Sequence, residues 1–270
     1  MPHATVNGID CFYERWGAGP RLLFLNGSGS SIATSKLLID CFTGDFDVLV
    51  HDQRGLGESA IPPGPYSMAD YAADAAALLD HVGWERARVA GVSFGGMVAQ
   101  ELAVTAPDRV ERLALLCTSP GGAGGASYPL QELATMPADE ARAKGTQLLD
   151  TRFTREWLET HAGDRMLAEG MAARRGGTKS AEQLRGEAEQ LGARSRHDVC
   201  DRLGRITCPT LVAGGRFDGI APPANAEFIA ARVAGAQLRL YDGGHAFFAQ
   251  DPAALPDVLA FLQGDAVRDQ

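Results

Sequence analysis

The segment Gly91-Val92-Ser93-Phe94-Gly95 constrains the fold of this chain more than any other. Upstream, residues 86–90 read as a short buried strand; downstream, 96–103 carry small and apolar residues at helical spacing. A strand that turns so abruptly into a helix forces its apex residue into a strained backbone region. Glycines two residues either side remove the side chains that would collide there. The strain lifts the Ser93 hydroxyl clear of the sheet, and the helix start aims its N-terminal amides at whatever the hydroxyl attacks. The alternative is a glycine-rich turn whose Ser93 merely caps the helix.

A nucleophilic serine is inert without a base. Of six histidines, His245 stands out, because Gly243-Gly244-His245 follows the strand-like run 237–241. The acid candidate is Asp218, in Gly214-Gly215-Arg216-Phe217-Asp218-Gly219, just past the apolar run 209–213. It precedes His245 by 27 residues, room for one helix (224–233) and one strand. Both side chains then emerge at the carboxyl ends of parallel strands, where open α/β sheets place their sites. Asp242 is nearer in sequence but would point elsewhere from a strand end. His51 ends a strand and braces a loop, His81 closes a helix, His161 and His197 fall in a polar helical region, and His3 lies near the terminus.

Nucleophilic attack on a carbonyl also needs donors for the developing oxyanion. The apolar strand 21–25 runs into Asn26-Gly27-Ser28-Gly29-Ser30-Ser31, a small-residue loop able to bring backbone N–H groups close to a ligand. Phe94 supplies one N–H and Ser28 the other. Neither of the glycine-rich phosphate-binding patterns fits this loop.

Taken together these segments resemble the α/β-hydrolase family, in the branch of small cofactor-free enzymes that includes esterases, enol-lactonases and non-metal haloperoxidase-like proteins. Asp52-Gln53-Arg54-Gly55-Leu56-Gly57-Glu58-Ser59 is similar to the family's D-x-R-G-x-G-x-S segment. Asp198-Val199, Leu203, Ile206 and Pro209-Thr210-Leu211-Val212 match the run leading to the acid, and Gln250-Asp251-Pro252 matches the start of the final helix. The resemblance implies an α/β-hydrolase fold: a mostly parallel eight-stranded sheet with helices on both faces and a helical cap inserted after the sixth strand. Asn26 departs from the histidine usual before the glycine; its amide is expected to hold the loop. Ser93 argues against haloalkane dehalogenases and epoxide hydrolases, which carry aspartate at the elbow. Val92 and Ala246 depart from the asparagine and tryptophan usual in carbon–carbon-bond hydrolases of this fold.

Organisation supports the same reading. A hairpin over 4–15 turns at Asn7-Gly8. Strands are expected at 21–25, 46–51, 86–90, 112–117, 210–214 and 237–241, with helices at 68–82, 94–105 and 252–263. Such alternation implies a parallel sheet covered on both faces. Between 121 and 205 no strand signal appears, only helical segments at 131–136, 138–150, 154–161, 164–174 and 181–193. Residues 1–120 and 206–270 are therefore read as the core and 121–205 as the cap, which would exclude water and shape the pocket. Substrate contacts are expected from Asn26, Gly27, Trp157, Phe217, Ile220 and Phe247, with Phe153, Met166 and Met171 as further cap candidates.

The net charge of −9 disfavours nucleic acid, which needs a basic face. The N-terminus lacks a basic stretch followed by an apolar run, and no stretch is long enough to span a membrane; a cytoplasmic protein is expected. Five scattered cysteines suit free thiols, and nothing has metal-ligand spacing, so neither metal nor cofactor is expected. The expectation is a serine hydrolase acting on a small-molecule carboxylic ester, lactone or thioester through an acyl-enzyme. A carbon–carbon-bond hydrolase or lyase on the same triad, and a receptor that keeps the fold, are the alternatives. Spacing decides neither the substrate nor whether the chain forms a homo-oligomer.

Overall fold

The computed structural model of the chain describes residues 2–175 and 179–265. Its first two strands, β1 (His3–Val6) and β2 (Ile9–Trp16), form the hairpin, with Asn7 at φ +46° and Gly8 at φ +80°. That double positive φ is the tight turn the Asn-Gly pair favours, because its twist matches the strands it joins. Six further strands follow: β3 (Arg21–Leu25), β4 (Asp47–His51), β5 (Ala87–Val92), β6 (Val110–Leu116), β7 (Thr210–Gly215) and β8 (Gln237–Tyr241). They assemble into one eight-stranded sheet of order β1-β2-β4-β3-β5-β6-β7-β8, in which β1 and β2 are antiparallel and β3 to β8 run parallel.

The parallel strands are apolar on both faces, as a sheet covered on both sides requires. Leu22 and Phe24 pack with α1 (Ile32–Thr43) and α9 (Ala254–Gln263) on one face. Leu23 and Leu25 pack with α2 (Met68–His81), α3 (Phe94–Thr105) and α8 (Pro223–Ala230) on the other. Each fully buried Leu or Phe contributes about 1.5–3 kcal/mol relative to exposure. Serines set the start of two of these helices: Ser31 and Ser67 each accept from the third helical amide while that residue's side chain reaches back.

Between β6 and β7 the chain is helical: α4 (Ala138–Leu149), α5 (Arg155–Thr160), α6 (Ala162–Arg175) and α7 (Ala181–Ser195). The segment expected as a helix at 131–136 is instead a 3₁₀ turn, Leu130–Thr135, entered through Pro129. Leu148, Leu149, Phe153 and Ala168 of this stretch form a small apolar cluster with Ile220 from the core. All five cysteines are free, and among the described residues no helix is long and apolar enough to cross a membrane.

Candidate active site

Strand β5 lies at the centre of the sheet between β3 and β6 and delivers Ser93 at its carboxyl end. Ser93 sits at φ +53°, ψ −112°, a region that costs a non-glycine residue about 1–3 kcal/mol. Its peptide groups are clamped on both sides. The Ser93 N–H donates to Leu116 O at 2.8 Å, and its carbonyl accepts from Thr118 Oγ1 at 2.7 Å and Gly96 N at 2.9 Å. The flanking glycines are obligatory: a Cβ on Gly95 would fall 2.0 Å from Leu25 O, and one on Gly91 2.4 Å from Gly95 O. Ser93 occupies the N-cap position of α3 but makes no side-chain cap bond. The turn is therefore not one in which Ser93 merely caps the helix; its side chain opens onto a cavity of about 180 Å³.

His245 lines the same cavity. Its Nδ1 lies 2.8 Å from Asp218 Oδ2, and the Asp218 carboxylate is fully buried. The other carboxylate oxygen, Oδ1, accepts the Ile220 and Ala221 amides at 2.8 Å each. An ionised Asp218 makes Nδ1 the protonated nitrogen and leaves Nε2 as the ring's acceptor. The loop carrying the imidazole is anchored as well: His245 N donates to Leu149 O at 2.5 Å, and Gly244 N to Gln250 Oε1 at 2.8 Å. Asp242 lies elsewhere, exposed at the surface and paired with Arg152 at 2.7 Å.

The Asn26–Ser30 loop faces the elbow. A Cβ on Gly27 would come within 3.6 Å of Ser93 Cβ, an ordinary contact distance. Asn26, Gly27, Ser28, Gly29 and Ser30 all line the cavity. The Phe94 ring is buried and meets Tyr71 edge-on, centroids 4.9 Å apart, so only its backbone N–H is on offer at the elbow. The loop is held from behind by Gln53 Nε2, donating to Asn26 O at 2.7 Å, and by Gly29 N, donating to Gln190 Oε1 at 2.8 Å. The Asn26 amide does not hold the loop as expected, since its buried Nδ2 finds no partner; the backbone carbonyl does that work.

Ile220 and Met171 line the cavity along with Asn26 and Gly27, but three expected contacts do not. Phe247 is fully buried and stacked on Tyr241, because the turn Phe247–Ala249 sends it into the core and its neighbour Phe248 to the cavity. Phe217 lies under the Arg152 guanidinium, 3.9 Å away, and Trp157 stacks on His161 at 3.8 Å while its indole N–H donates to Asp164. Of the further cap candidates, Phe153 is buried in the apolar cluster and Met166 is exposed.

The D-x-R-G-x-G-x-S segment proves to be scaffolding for this site. Asp52 accepts the Ile32 and Glu58 amides at 2.6 and 2.9 Å, and Arg54 binds the buried Asp74 through Nε and Nη2, each at 2.6 Å. Gln190 and Asp150 carried no sequence signal, and Gln250, read only as part of the start of the final helix, has a further role. Gln250 Nε2 bonds the fully buried Asp150 at 2.9 Å, tying the histidine loop to the end of α4.

The family described as the alpha/beta hydrolase fold matches residues 20–252. A non-heme haloperoxidase from Rhodococcus erythropolis is 31% identical over 268 residues, covering 90% of this chain and 92% of its own. 3-Oxoadipate enol-lactonase 2 of Acinetobacter baylyi is 27% identical over 258 residues, covering 93% of this chain and 91% of its own. The crystal structure of an enol-lactonase from Burkholderia xenovorans superposes with TM-score 0.78 at 27% identity, over 97% of this chain and 100% of that one. With a parallel sheet in this strand order and a match across most of its length, the chain belongs to the α/β-hydrolase family and is an enzyme of that family.

Proposed function

We infer that the protein is a serine hydrolase that cleaves a small-molecule carboxylic ester or lactone through an acyl-enzyme. The observation that carries this reading is Ser93 itself: a strained, uncapped hydroxyl sharing a cavity with an imidazole whose far nitrogen is fixed by a buried carboxylate. In the resting arrangement no hydrogen bond joins Ser93 to His245, and the relay closes when a substrate fills the cavity, as resting catalytic bonds often tighten only on binding. His245 Nε2 then takes the Ser93 proton as Oγ bonds to the carbonyl carbon. Asp218 holds the ring and stabilises the cation that forms. The N–H groups of Phe94 and Ser28 receive the oxyanion, each worth a few kcal/mol in the transition state. Collapse expels the alkoxide, which takes the proton from His245. Water repeats the sequence and releases the acid.

The helices between β6 and β7 act as a cap: Leu130, Leu149 and Met171 line the cavity together with Asn26–Ser30, and covering it keeps water from the acyl-enzyme. The apolar wall of Phe24, Leu38, Ile220 and Phe248 suits a compact acyl group. The similarity to two enol-lactonases supports a lactone among the substrates. A panel of aryl esters and enol-lactones tests the reading. Turnover is expected on short acyl chains and to fall by on the order of 10⁴ in Ser93→Ala. Ser93→Ala retaining activity within about tenfold of the parent would refute the role of the serine.

A further inference from the structure

The side-chain amide of Gln250 makes three contacts, and together they decide which way round it lies. An amide offers one carbonyl acceptor and two N–H donors. Oε1 accepts Gly244 N at 2.8 Å, one residue before His245. Nε2 donates to Asp150 Oδ2 at 2.9 Å and to Asp164 Oδ1 at 3.2 Å, so both of its protons go to carboxylates. Turned over, the amide would set its oxygen against those two acids and its NH₂ against the Gly244 N–H. All three contacts would then repel. The acids therefore select the orientation that leaves an acceptor for the histidine loop.

Both acids belong to the helical stretch between β6 and β7, not to the sheet. Asp150 directly follows α4, is fully buried and is bound by Arg152. Arg152 N and Nε donate to Oδ1 at 2.9 and 3.0 Å, and Nη2 donates to Oδ2 at 2.7 Å. A carboxylate accepts about four bonds, so Gln250 takes the last site. Asp164 lies in the first turn of α6, and its Oδ2 accepts the Trp157 indole N–H at 2.7 Å. The backbone beside Asp150 reaches the loops of both His245 and Asp218: Leu149 O accepts His245 N, and Leu148 O accepts Gly219 N at 3.1 Å. Within the histidine loop, Gly243 O and His245 N are bonded by backbone groups of Phe217 and Leu149. Gly244 N, between them, depends on a side chain.

We propose that Asp150, seconded by Asp164, positions the base of the reaction. By holding Gln250 Nε2 the two acids keep Oε1 on the Gly244 N–H, and so fix the backbone from which the imidazole reaches Asp218 and Ser93. These roles rest on the Ser93–His245–Asp218 reading above. Neither acid lines the cavity, so both act through Gln250 and not on the substrate.

A double-mutant cycle on aryl acetate hydrolysis, with Tm read alongside, tests these roles. Gln250→Met removes the acceptor at similar size and should lower kcat about tenfold, with KM within about twofold of the parent. Asp150→Ala should do the same in the parent. In Gln250→Met it should lower kcat by less than about twofold further, since its partner is already gone. Its cost in Tm, from an Arg152 left without its inner carboxylate, should appear in both backgrounds. Asp164→Ala leaves the Asp150–Arg152 pair intact and should lower kcat about threefold, again only where Gln250 is present. Losses in kcat that multiply between either acid and Gln250, an unchanged kcat in Asp150→Ala, or a loss confined to KM overturns the proposal. Ser93→Ala separates it from the reading beneath: if that variant stays active, both fall. If Ser93→Ala is inactive while kcat ignores Asp150, the positioning role alone falls.

Discussion

Ser93 occupies a position where serine ordinarily accepts a helix amide and stabilises the helix by about 1 kcal/mol, yet it makes no such bond. It also bears a positive φ that serine disfavours. Two forgone stabilisations at one residue point to a hydroxyl reserved for chemistry; the glycine spacing between a strand and a helix foretold the strain but left open whether Ser93 caps the helix. The acid tests a neighbouring assignment. Asp218→Asn should reduce kcat on an aryl acetate by about 10⁴, because the amide stabilises the wrong imidazole tautomer. Asp242→Asn should leave kcat close to the parent, since Asp242 pairs with Arg152 at the surface. Asp242→Asn as the more damaging change would overturn the assignment. Aromatic contacts were much less legible. Phe247 and Phe248 are adjacent and chemically equivalent, and only the turn that contains them decides which enters the core. Trp157 stacks on His161, a pair that i,i+4 helical spacing could have revealed, whereas Phe217 meets Arg152, a partner distant along the chain that no local pattern reveals.

Helix α7 was readable from its Ala, Glu and Arg content, and strands β3 and β8 fall where their apolar runs placed them. What α7 does was not readable, because its key contact spans 161 residues: Gln190 Oε1 receives the Gly29 amide of the loop beside Ser93. No local pattern encodes a bond of that separation. Gln190→Leu removes the acceptor at similar volume and leaves the Gly29 N–H unpaired, a loss of about 1–3 kcal/mol that loosens the loop. Stopped-flow or steady-state assays should show kcat reduced about tenfold with KM less affected. An unchanged kcat would mean that α7 does not position this loop. Strand β5 was expected to end at residue 90 but continues to Val92, because the ladder to β6 runs right up to the elbow.

Across the whole molecule, the fold was recoverable because each level agrees: strand alternation, turn residues and motif order all specify one sheet. The same burial that stabilises it creates an acid weakness. His51 and His197 are buried, and desolvation lowers each pKa from an ordinary 6.5 to about 4, outweighing the pull of Asp74 on His51 and of Glu101 and Asp198 on His197. As pH falls below 6.5 the unfolded chain binds these protons and the folded chain does not. Stability present above that pH is therefore lost progressively down to about pH 4, by roughly 3 kcal/mol per histidine. Urea unfolding at neutral pH and near pH 4.5 should show this loss in the parent and a smaller one in His51→Gln/His197→Gln; equal losses would contradict it. The central claim concerns convergence of Ser93, His245 and Asp218, and a fluorophosphonate probe read by intact mass and peptide mapping tests it most directly. One phosphonyl adduct on Ser93 is predicted in the parent, with labelling lost in Ser93→Ala and strongly slowed in His245→Ala. Labelling at another residue, or at Ser93 with a rate indifferent to His245, would contradict the account.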